Sequence, residues 1–241
     1  MTVVANLEAV RARMAEACAR SGRVPSDVTL IAVSKTHPSA AVLEAVAAGV
    51  QHFGENRVEE SESKIPAVRA ATGAPVTWHM IGHIQSRKAK DVVALFDIVH
   101  SVDTLKLAER LSRLAVEQAR TLDAFLEVNI SGEASKSGLV AAGWESDTAL
   151  RDRLWSEAGA MLALPGLRVR GLMTMAPIVE DVEQARPVFA GLRALRDALV
   201  LSFGVALPDL SMGMTDDYPV AIEEGATFVR IGRAIFGERF R

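Results

Sequence analysis

A lysine placed directly after a short apolar run is the residue with the clearest potential for chemistry. The run Thr29–Val33 is followed by Ser34 and Lys35. A lysine amine in a partly desolvated site can condense with a carbonyl group, because desolvation favours the neutral, nucleophilic form. The same position also suits an ordinary solvated charge at the end of a strand. Position alone leaves both interpretations open.

Two glycine-containing loops near the C-terminus have the composition of an anion site. The apolar runs Asp209–Met212 and Phe228–Ile231 are closely followed by Gly213 and Gly232. Glycine lets backbone N–H groups approach an anion closely, and Ser211 adds a hydroxyl donor. In α/β barrels a phosphate is often held by the loops after strands seven and eight. The alternative is that both glycines simply make tight turns.

Basic residues also follow the other apolar runs, at Arg57, Arg87, Lys88 and Lys136. If those runs are parallel strands, these cations decorate one face of the sheet. Such a face either attracts an anionic ligand or is only a solvated rim.

Metal and thiol chemistry are not indicated. His79 and His83 are four residues apart, but Gly82 lies between them in a strand-like stretch and no Glu or Cys completes a recognisable spacing. The remaining histidines are scattered along the chain, at positions 37, 52 and 100. The single cysteine, Cys18, excludes an internal disulfide and a thiol-rich metal site. We therefore expect no metal.

The elements that must position these residues alternate regularly. Short apolar runs are followed by longer segments with helical periodicity, and this alternation predicts parallel strands joined by crossover helices. Eight such units close naturally into a barrel, with an open doubly wound sheet as the alternative. The predicted strands are Thr29–Val33, Gln51–Phe53, Thr77–Ile81, Ile98–Ser101, Ala124–Ile130, Val169–Thr174, Asp209–Met212 and Phe228–Ile231. The predicted helices are Val4–Arg20, Ser39–Ala48, Thr104–Ala119 and Glu183–Leu201, with an extra one at Trp144–Glu157.

Length and composition fit one such domain over residues 1–241. A single α/β barrel needs roughly 250 residues, and 49% hydrophobic with 24% charged residues favours a globular chain. A net charge of −3 argues against nucleic acid or anionic membranes as partners. The N-terminus lacks the pattern of a signal peptide, and no apolar stretch reaches the roughly 18 residues of a membrane span. We expect a cytoplasmic protein.

Several stretches resemble the pyridoxal phosphate homeostasis protein family, which is alanine racemase N-terminal-domain-like. They occur in order from about residue 29 to the C-terminus, so the resemblance covers nearly the whole chain. The stretches are LIAVSKTHP, HFGENRVEE, WHMIGHIQSRKAK, HSVDTLKLAERL, VNISGEASKSGL, GLMTMAP and LSMGMTDDYPVAIEEGATFVRIGRAIFG.

The resemblance implies an α/β fold, a single (β/α)8 TIM barrel, with the vitamin B6 cofactor pyridoxal 5′-phosphate (PLP) joined to Lys35 as a Schiff base. It implies that Arg230 faces the pyridine nitrogen. The other implied cofactor-binding residues are Asn56 and Ile81 along the ring and Ser211, Met212, Gly213, Gly232 and Arg233 at the phosphate. Lys136 matches a lysine near the cofactor rim, and Thr215 stands where many members have serine, which keeps the hydroxyl.

The resemblance also implies a role in intracellular PLP homeostasis without substantial turnover. The similar racemases use a tyrosine from a second domain as the opposing base, whereas this sequence has one tyrosine, Tyr218, and ends at Arg241, soon after the last strand. We expect a monomer that binds PLP and serves PLP-dependent apoenzymes. The alternatives are a PLP enzyme such as an amino-acid racemase, or a lyase whose Lys35 forms a Schiff base with its own phosphorylated substrate. Only the lyase would be colourless.

Overall fold

Short strands alternate with helices over residues 2–238, which are the residues that this computed structural model describes. Its strands are β1 (Thr29–Val33), β2 (His52–Glu55), β3 (Thr77–Met80), β4 (Ile98–Val102), β5 (Leu122–Asn129), β6 (Leu139–Val140), β7 (Leu167–Met173), β8 (Asp209–Met214) and β9 (Phe228–Ile231). Its helices are α1 (Val3–Arg20), α2 (Ser39–Ala47), α3 (Val58–Ala71), α4 (Ala89–Leu95), α5 (Leu105–Glu117), α6 (Thr148–Leu162), α7 (Arg186–Phe203), α8 (Tyr218–Glu223) and α9 (Arg233–Phe236).

Eight parallel strands form a closed ring within residues 2–238. Their order is β4-β3-β2-β1-β9-β8-β7-β5, and pairing of β4 with β5 closes the ring. The two-residue strand β6 lies outside it, against the end of β5. The predicted (β/α)8 barrel is confirmed, and the alternative of an open sheet is excluded by the β4–β5 pairing.

The helices begin where the sequence supplies caps and an apolar stripe. Thr104 accepts a hydrogen bond from the backbone N–H of Leu107 and starts α5, whose Leu107 and Leu111 are buried. Gly204, with φ of 63°, ends α7 in the left-handed conformation that favours glycine.

Within residues 2–238, no helix is both long enough and apolar enough to cross a membrane.

Apolar residues form two separate layers. The larger layer lies between the strands and the surrounding helices and includes the buried side chains of Phe53, Trp78 and Phe96. The smaller layer fills the inside of the barrel, and its buried members are Ile31, Ile98, Phe125, Met173 and Phe228. The inner layer leaves the polar residues of the barrel surrounded by apolar surface.

The boundaries predicted for the extra helix and for the end of β8 were wrong. The extra helix was predicted at Trp144–Glu157, but α6 covers Thr148–Leu162 because Asp147 caps it through the N–H of Leu150. Trp144 instead precedes the helix, and its ring lies 5.5 Å from that of Trp155. Strand β8 continues to Met214, two residues beyond its predicted end.

Candidate functional site

A cavity of about 450 Å3 opens where β1 and β9 end. Lys35, Gly232 and Arg233 all line it. They meet because β1 and β9 are neighbours, with Ala32 paired to Ile231, so the residues after each strand lie side by side. The volume is within the roughly 300–1,000 Å3 of small-molecule sites. Three residues that the sequence singled out therefore share one cavity.

The backbone on both sides of Lys35 is held by charged groups. The ammonium group of Lys64 donates to the carbonyl of Ser34 at 2.9 Å, and the N–H of Thr36 donates to Glu60 Oε1 at 2.6 Å. Thr36 has φ of 67°, a left-handed conformation that costs a β-branched residue free energy. These contacts offset that cost and fix the turn that presents the half-buried Lys35 to the cavity.

The charged groups behind this turn form a buried ionic network. Lys64 Nζ lies 2.8 Å from Glu55 Oε1 and 2.6 Å from Glu60 Oε1. Ser34 Oγ donates to the same Glu55 oxygen at 2.7 Å. Burial raises the pKa of the Glu55 carboxyl, and the nearby Lys64 charge opposes that rise. Because the Glu55 side chain is wholly buried, its ionised form depends on Lys64 for compensation.

The backbone at the two predicted glycines packs closely against neighbouring residues of the chain. A β-carbon at Gly232 would lie 3.2 Å from the carbonyl oxygen of Val33, so a side chain there would crowd the cavity wall. Gly213 has φ of 93°, and a β-carbon there would lie 2.6 Å from Cβ of Ala221. The guanidinium of Arg233 contacts Asp216 at 2.7 Å and so ties together the loops that follow β8 and β9.

Arg230 lies inside the barrel and is buried. Its Nη1 donates to Ser211 Oγ at 2.6 Å and its Nη2 to the carbonyl of Thr174 at 2.9 Å. Burial lowers the pKa of Arg230 to about 10, and the carboxylates of Asp217 and Glu127 act against that change. Arg230 is therefore still charged at pH 7.

Ser211 and Met212 do not line the cavity. The hydroxyl of Ser211 is fully buried between Arg230 and His100 Nδ1, the latter at 2.8 Å, and the Met212 side chain belongs to the outer apolar layer. Strand β8 runs two residues further than predicted. The first residue after it is the half-buried Thr215, whose side chain carries a hydroxyl. Thr215 does not line the cavity either, so a ligand contact of Ser211, Met212 or Thr215 stays a prediction.

Asn56 and Ile81 lie on the neighbouring side of the barrel end. Asn56 lines a smaller cavity of about 230 Å3, and its Oδ1 is buried with no hydrogen-bond partner among residues 2–238. The backbone of Asn56 packs tightly on Gly82. A β-carbon at Gly82 would lie 2.3 Å from the backbone carbonyl oxygen of Asn56. The side chain of Ile81 covers Gly54, with Cδ1 3.0 Å from where a β-carbon would lie. Asn56 therefore offers an unsatisfied polar atom beside an apolar wall.

Other polar residues near the site were missed from the sequence. Burial raises the pKa of Glu127 on β5 to about 7, and the nearby Asp103 adds to the rise. His83 Nδ1 lies 3.1 Å from Asp103 Oδ2. Glu127 and Asn129 alternate with apolar residues in β5, and that period of two was the available signal for inward-facing polar groups.

Two of the basic residues at the rim are paired with carboxylates. The half-buried Lys136 donates to the carbonyl of Met175 at 2.7 Å and pairs with Glu133 at 3.1 Å. Lys88 pairs with Glu59 at 3.1 Å. Both lysines are thus partly neutralised, and Arg57 and Arg87 are exposed.

Across the described part of the chain, no group of three His, Cys, Asp or Glu residues could hold a metal ion.

Comparison with known proteins places these features in a family. The sequence profile described as "Alanine racemase, N-terminal domain" matches residues 5–240. The "Pyridoxal phosphate homeostasis protein" of Pseudomonas aeruginosa is 44% identical over 238 residues, which cover 99% of this chain and 96% of that protein. The protein of the same name from Escherichia coli K12 is 40% identical, with 97% and 95% covered.

A solved structure is similar to this chain in both sequence and fold. PipY of Synechococcus elongatus, determined with PLP bound, is 36% identical, superposes with a TM-score of 0.82, and is matched over 98% of this chain and 100% of PipY. The profile matches nearly the whole chain, and the relatives are more than 30% identical over nearly their full length, so these matches show the family. This chain belongs to the pyridoxal phosphate homeostasis protein family.

Proposed function

We propose that this protein binds PLP and serves intracellular PLP homeostasis, holding the cofactor as a Schiff base with Lys35 and without substantial catalytic turnover. The observation that carries the proposal is the shared cavity of Lys35, Gly232 and Arg233. A primary amine beside glycine-rich backbone matches a ligand that carries both an aldehyde and a phosphate.

We propose that the phosphate lies against the backbone at Gly232 and Arg233, which line the cavity, with Ser211, Met212 and Gly213 on the β8 side. We propose that the ring lies beside Ile81 and Asn56, whose buried Oδ1 has no hydrogen-bond partner within residues 2–238. Bound PLP supplies an electron sink for amine chemistry. Arg230 only donates hydrogen bonds, so toward the ring it favours an unprotonated pyridine nitrogen and thereby weakens that sink.

The position of Tyr218 supports the absence of substantial turnover. General acid–base catalysis requires a group within hydrogen-bond reach of the proton that moves. Tyr218 is buried at the start of α8, and its ring faces Arg13 of α1, whose guanidinium carbon is 5.6 Å from the ring centroid. It therefore belongs to the outer apolar layer and does not line the cavity that Lys35 lines. A missing base typically costs roughly 10²–10⁴-fold in rate.

Borohydride trapping tests the attachment point. The PLP-loaded protein should be yellow, and reduction followed by peptide mapping should place the adduct on Lys35. Lys35→Ala should lose the visible absorbance, whereas Lys90→Ala, a change at an exposed lysine of α4, should keep it. An adduct on another lysine with Lys35 unmodified would overturn the assignment.

Titration with pyridoxal tests the phosphate site. Charge-assisted hydrogen bonds contribute roughly 1.5–3 kcal/mol each, so losing two of them should weaken binding about 100-fold or more. Equal affinities of pyridoxal and PLP would mean that the loops after β8 and β9 do not hold an anion.

Turnover is tested by incubating the loaded protein with L- and D-amino acids. We expect no sustained racemisation or transamination. Racemisation at an ordinary enzymatic rate that is abolished by Lys35→Ala would move the assignment to an enzyme, and Glu127, whose pKa burial raises to about 7, would be the first base to test.

The proposal extends to partners and assembly. We propose that the protein acts as a monomer and that PLP-dependent apoenzymes are its recipients. Light scattering should give the mass of one chain. An apoenzyme should regain activity faster when mixed with loaded protein than when a dialysis membrane separates the two, and equal rates would show release of free PLP instead of direct transfer.

A further inference from the structure

A row of hydrogen-bonded side chains crosses the inside of the barrel. His52 Nδ1 lies 3.0 Å from His79 Nε2, His79 Nδ1 lies 2.8 Å from His100 Nε2, and His100 Nδ1 lies 2.8 Å from Ser211 Oγ. Arg230 ends the row by donating to Ser211 Oγ at 2.6 Å. The other end, His52, lines a cavity of about 210 Å3 beside the start of β1. We call these five residues the histidine row.

We infer the direction of the hydrogen bonds in the histidine row from the charge of Arg230. A guanidinium can only donate, so Ser211 Oγ accepts from it, and the hydroxyl proton is available to the other partner, His100 Nδ1. His100 is then protonated on Nε2 and donates to His79. By the same reasoning His79 carries its proton on Nε2 and donates to His52 Nδ1. Each hydrogen bond of the histidine row thus has one donor proton between its two heavy atoms.

The surroundings keep the inner histidines neutral. The Phe125 ring stacks on His100 with centroids 4.3 Å apart, and the Phe228 ring lies within 6.0 Å of both His79 and His100. Burial lowers the pKa of His79 and His100 well below the usual value, and the neighbouring histidines add to this. An added proton on His100 Nδ1 would also remove the acceptor that His100 offers to the Ser211 hydroxyl proton.

We propose that His100, supported by His79, is a positioning residue for Arg230. It holds the Ser211 hydroxyl as a fixed acceptor, and that acceptor aims the guanidinium at the place of the cofactor's ring nitrogen. The inference rests on the proposed function, which names PLP as the ligand and places its ring nitrogen at Arg230. Asp217 from the turn before α8, Glu127 from β5 and His100 from β4 are the titratable groups that face Arg230.

The histidine row itself can be tested in the protein without cofactor. In 15N-labelled protein, two-bond nitrogen–proton correlation spectra should show His79 and His100 as neutral rings protonated on Nε2 from about pH 5.5 to 8. Ser211→Ala should release His100, which then populates its other tautomer. A protonated ring, or an Nδ1-protonated His100 in the unaltered protein at pH 7, would overturn the proposed direction of the row.

The positioning role can be separated from a merely structural one with a PLP analogue that has carbon in place of the ring nitrogen. His100→Leu removes the acceptor for Ser211, whereas His100→Asn keeps an oxygen near the position of Nδ1. We expect His100→Leu to weaken PLP binding about 10-fold, to shift the visible absorbance maximum, and to change binding of the analogue less than about 2-fold. His100→Asn should stay within about 3-fold of the unaltered protein for both ligands.

Equal losses for PLP and the analogue in His100→Leu would show that the row only supports the fold and would overturn the proposal. If His100→Leu does not fold, Ser211→Ala is tested with the same pair of ligands, and the same comparison decides. Failure of the unaltered protein to bind PLP would count against the proposed function, and the nitrogen spectra would still decide the direction of the row.

Discussion

Lys64→Met should reveal how much the turn at Lys35 depends on one buried charge. Lys64 has a side chain only 5% exposed, its partner Glu55 is 0% exposed, and Lys64 also donates to Glu60 and to the Ser34 carbonyl. Methionine preserves the length of the side chain but leaves both carboxylates without their cation. Removing one partner of a buried ion pair costs about 3–5 kcal/mol. We expect a loss of this size in the free energy of unfolding at pH 8, measured with urea.

The loss should depend on pH. Burial raises the pKa of Glu55, and Lys64 opposes that rise, so in Lys64→Met the folded-state pKa is higher still. A carboxyl whose pKa is raised in the folded state costs no stability below its unfolded value of about 4.3, and the cost grows as the pH rises above that value. Lys64→Met should therefore be less destabilised at pH 5 than at pH 8.

The exposed Lys90 provides the matched control. Lys90→Met should change the free energy of unfolding by less than about 0.5 kcal/mol at either pH. A loss below about 1 kcal/mol for Lys64→Met, or an equal loss at both pH values, would refute the view that Lys64 compensates a buried carboxylate.

Three further changes follow from the geometry. Gly213→Ala should lower stability by about 2 kcal/mol or more in thermal unfolding, since it adds left-handed strain to a clash with Ala221. Gly73→Ala, where a β-carbon would have open space, should change it by less than about 0.5 kcal/mol. Glu127→Gln should stabilise the protein at pH 8, by up to about 4 kcal/mol, and have little effect at pH 4, because the folded-state pKa of about 7 makes the ionised form costly; equal effects at both pH values would contradict this. Gly232→Val should raise the dissociation constant of PLP about 10-fold or more with an unchanged fold, and unchanged affinity would mean that the cavity is not the binding site.

The ring of strands and the meeting of Lys35 with Gly232 were predictable because both follow from strand order. Alternating apolar runs and helical segments predict parallel strands, and the carboxyl ends of parallel strands meet at one end of the barrel. The chain from Val33 to Lys35 and the chain from Ile231 to Gly232 then become neighbours, whatever the details of packing.

The rest depended on distances that a sequence does not contain. Whether β8 ends at Met212 or at Met214 is decided by two residues of strand length, and pairing with β7 and β9 sets that length. The five residues of the histidine row come from five strands, so positions that look scattered in sequence become adjacent through the stagger of the barrel. Lys64 reaches the turn at Lys35 from the second turn of α3, a contact that no local pattern indicates.

The pairing of β1 with β9 has a consequence for synthesis of the protein. Thr29 pairs with Phe228, so β1, which Lys35 follows, meets its second neighbour only after nearly the whole chain has been made. Contacts so distant in sequence form late, because loop-closure entropy opposes them until the intervening elements are in place. A ribosome-bound chain that still lacks β9 also lacks Gly232 and Arg233 beside Lys35 and should not capture the cofactor. Appearance of the PLP colour on a growing chain would therefore report completion of the barrel.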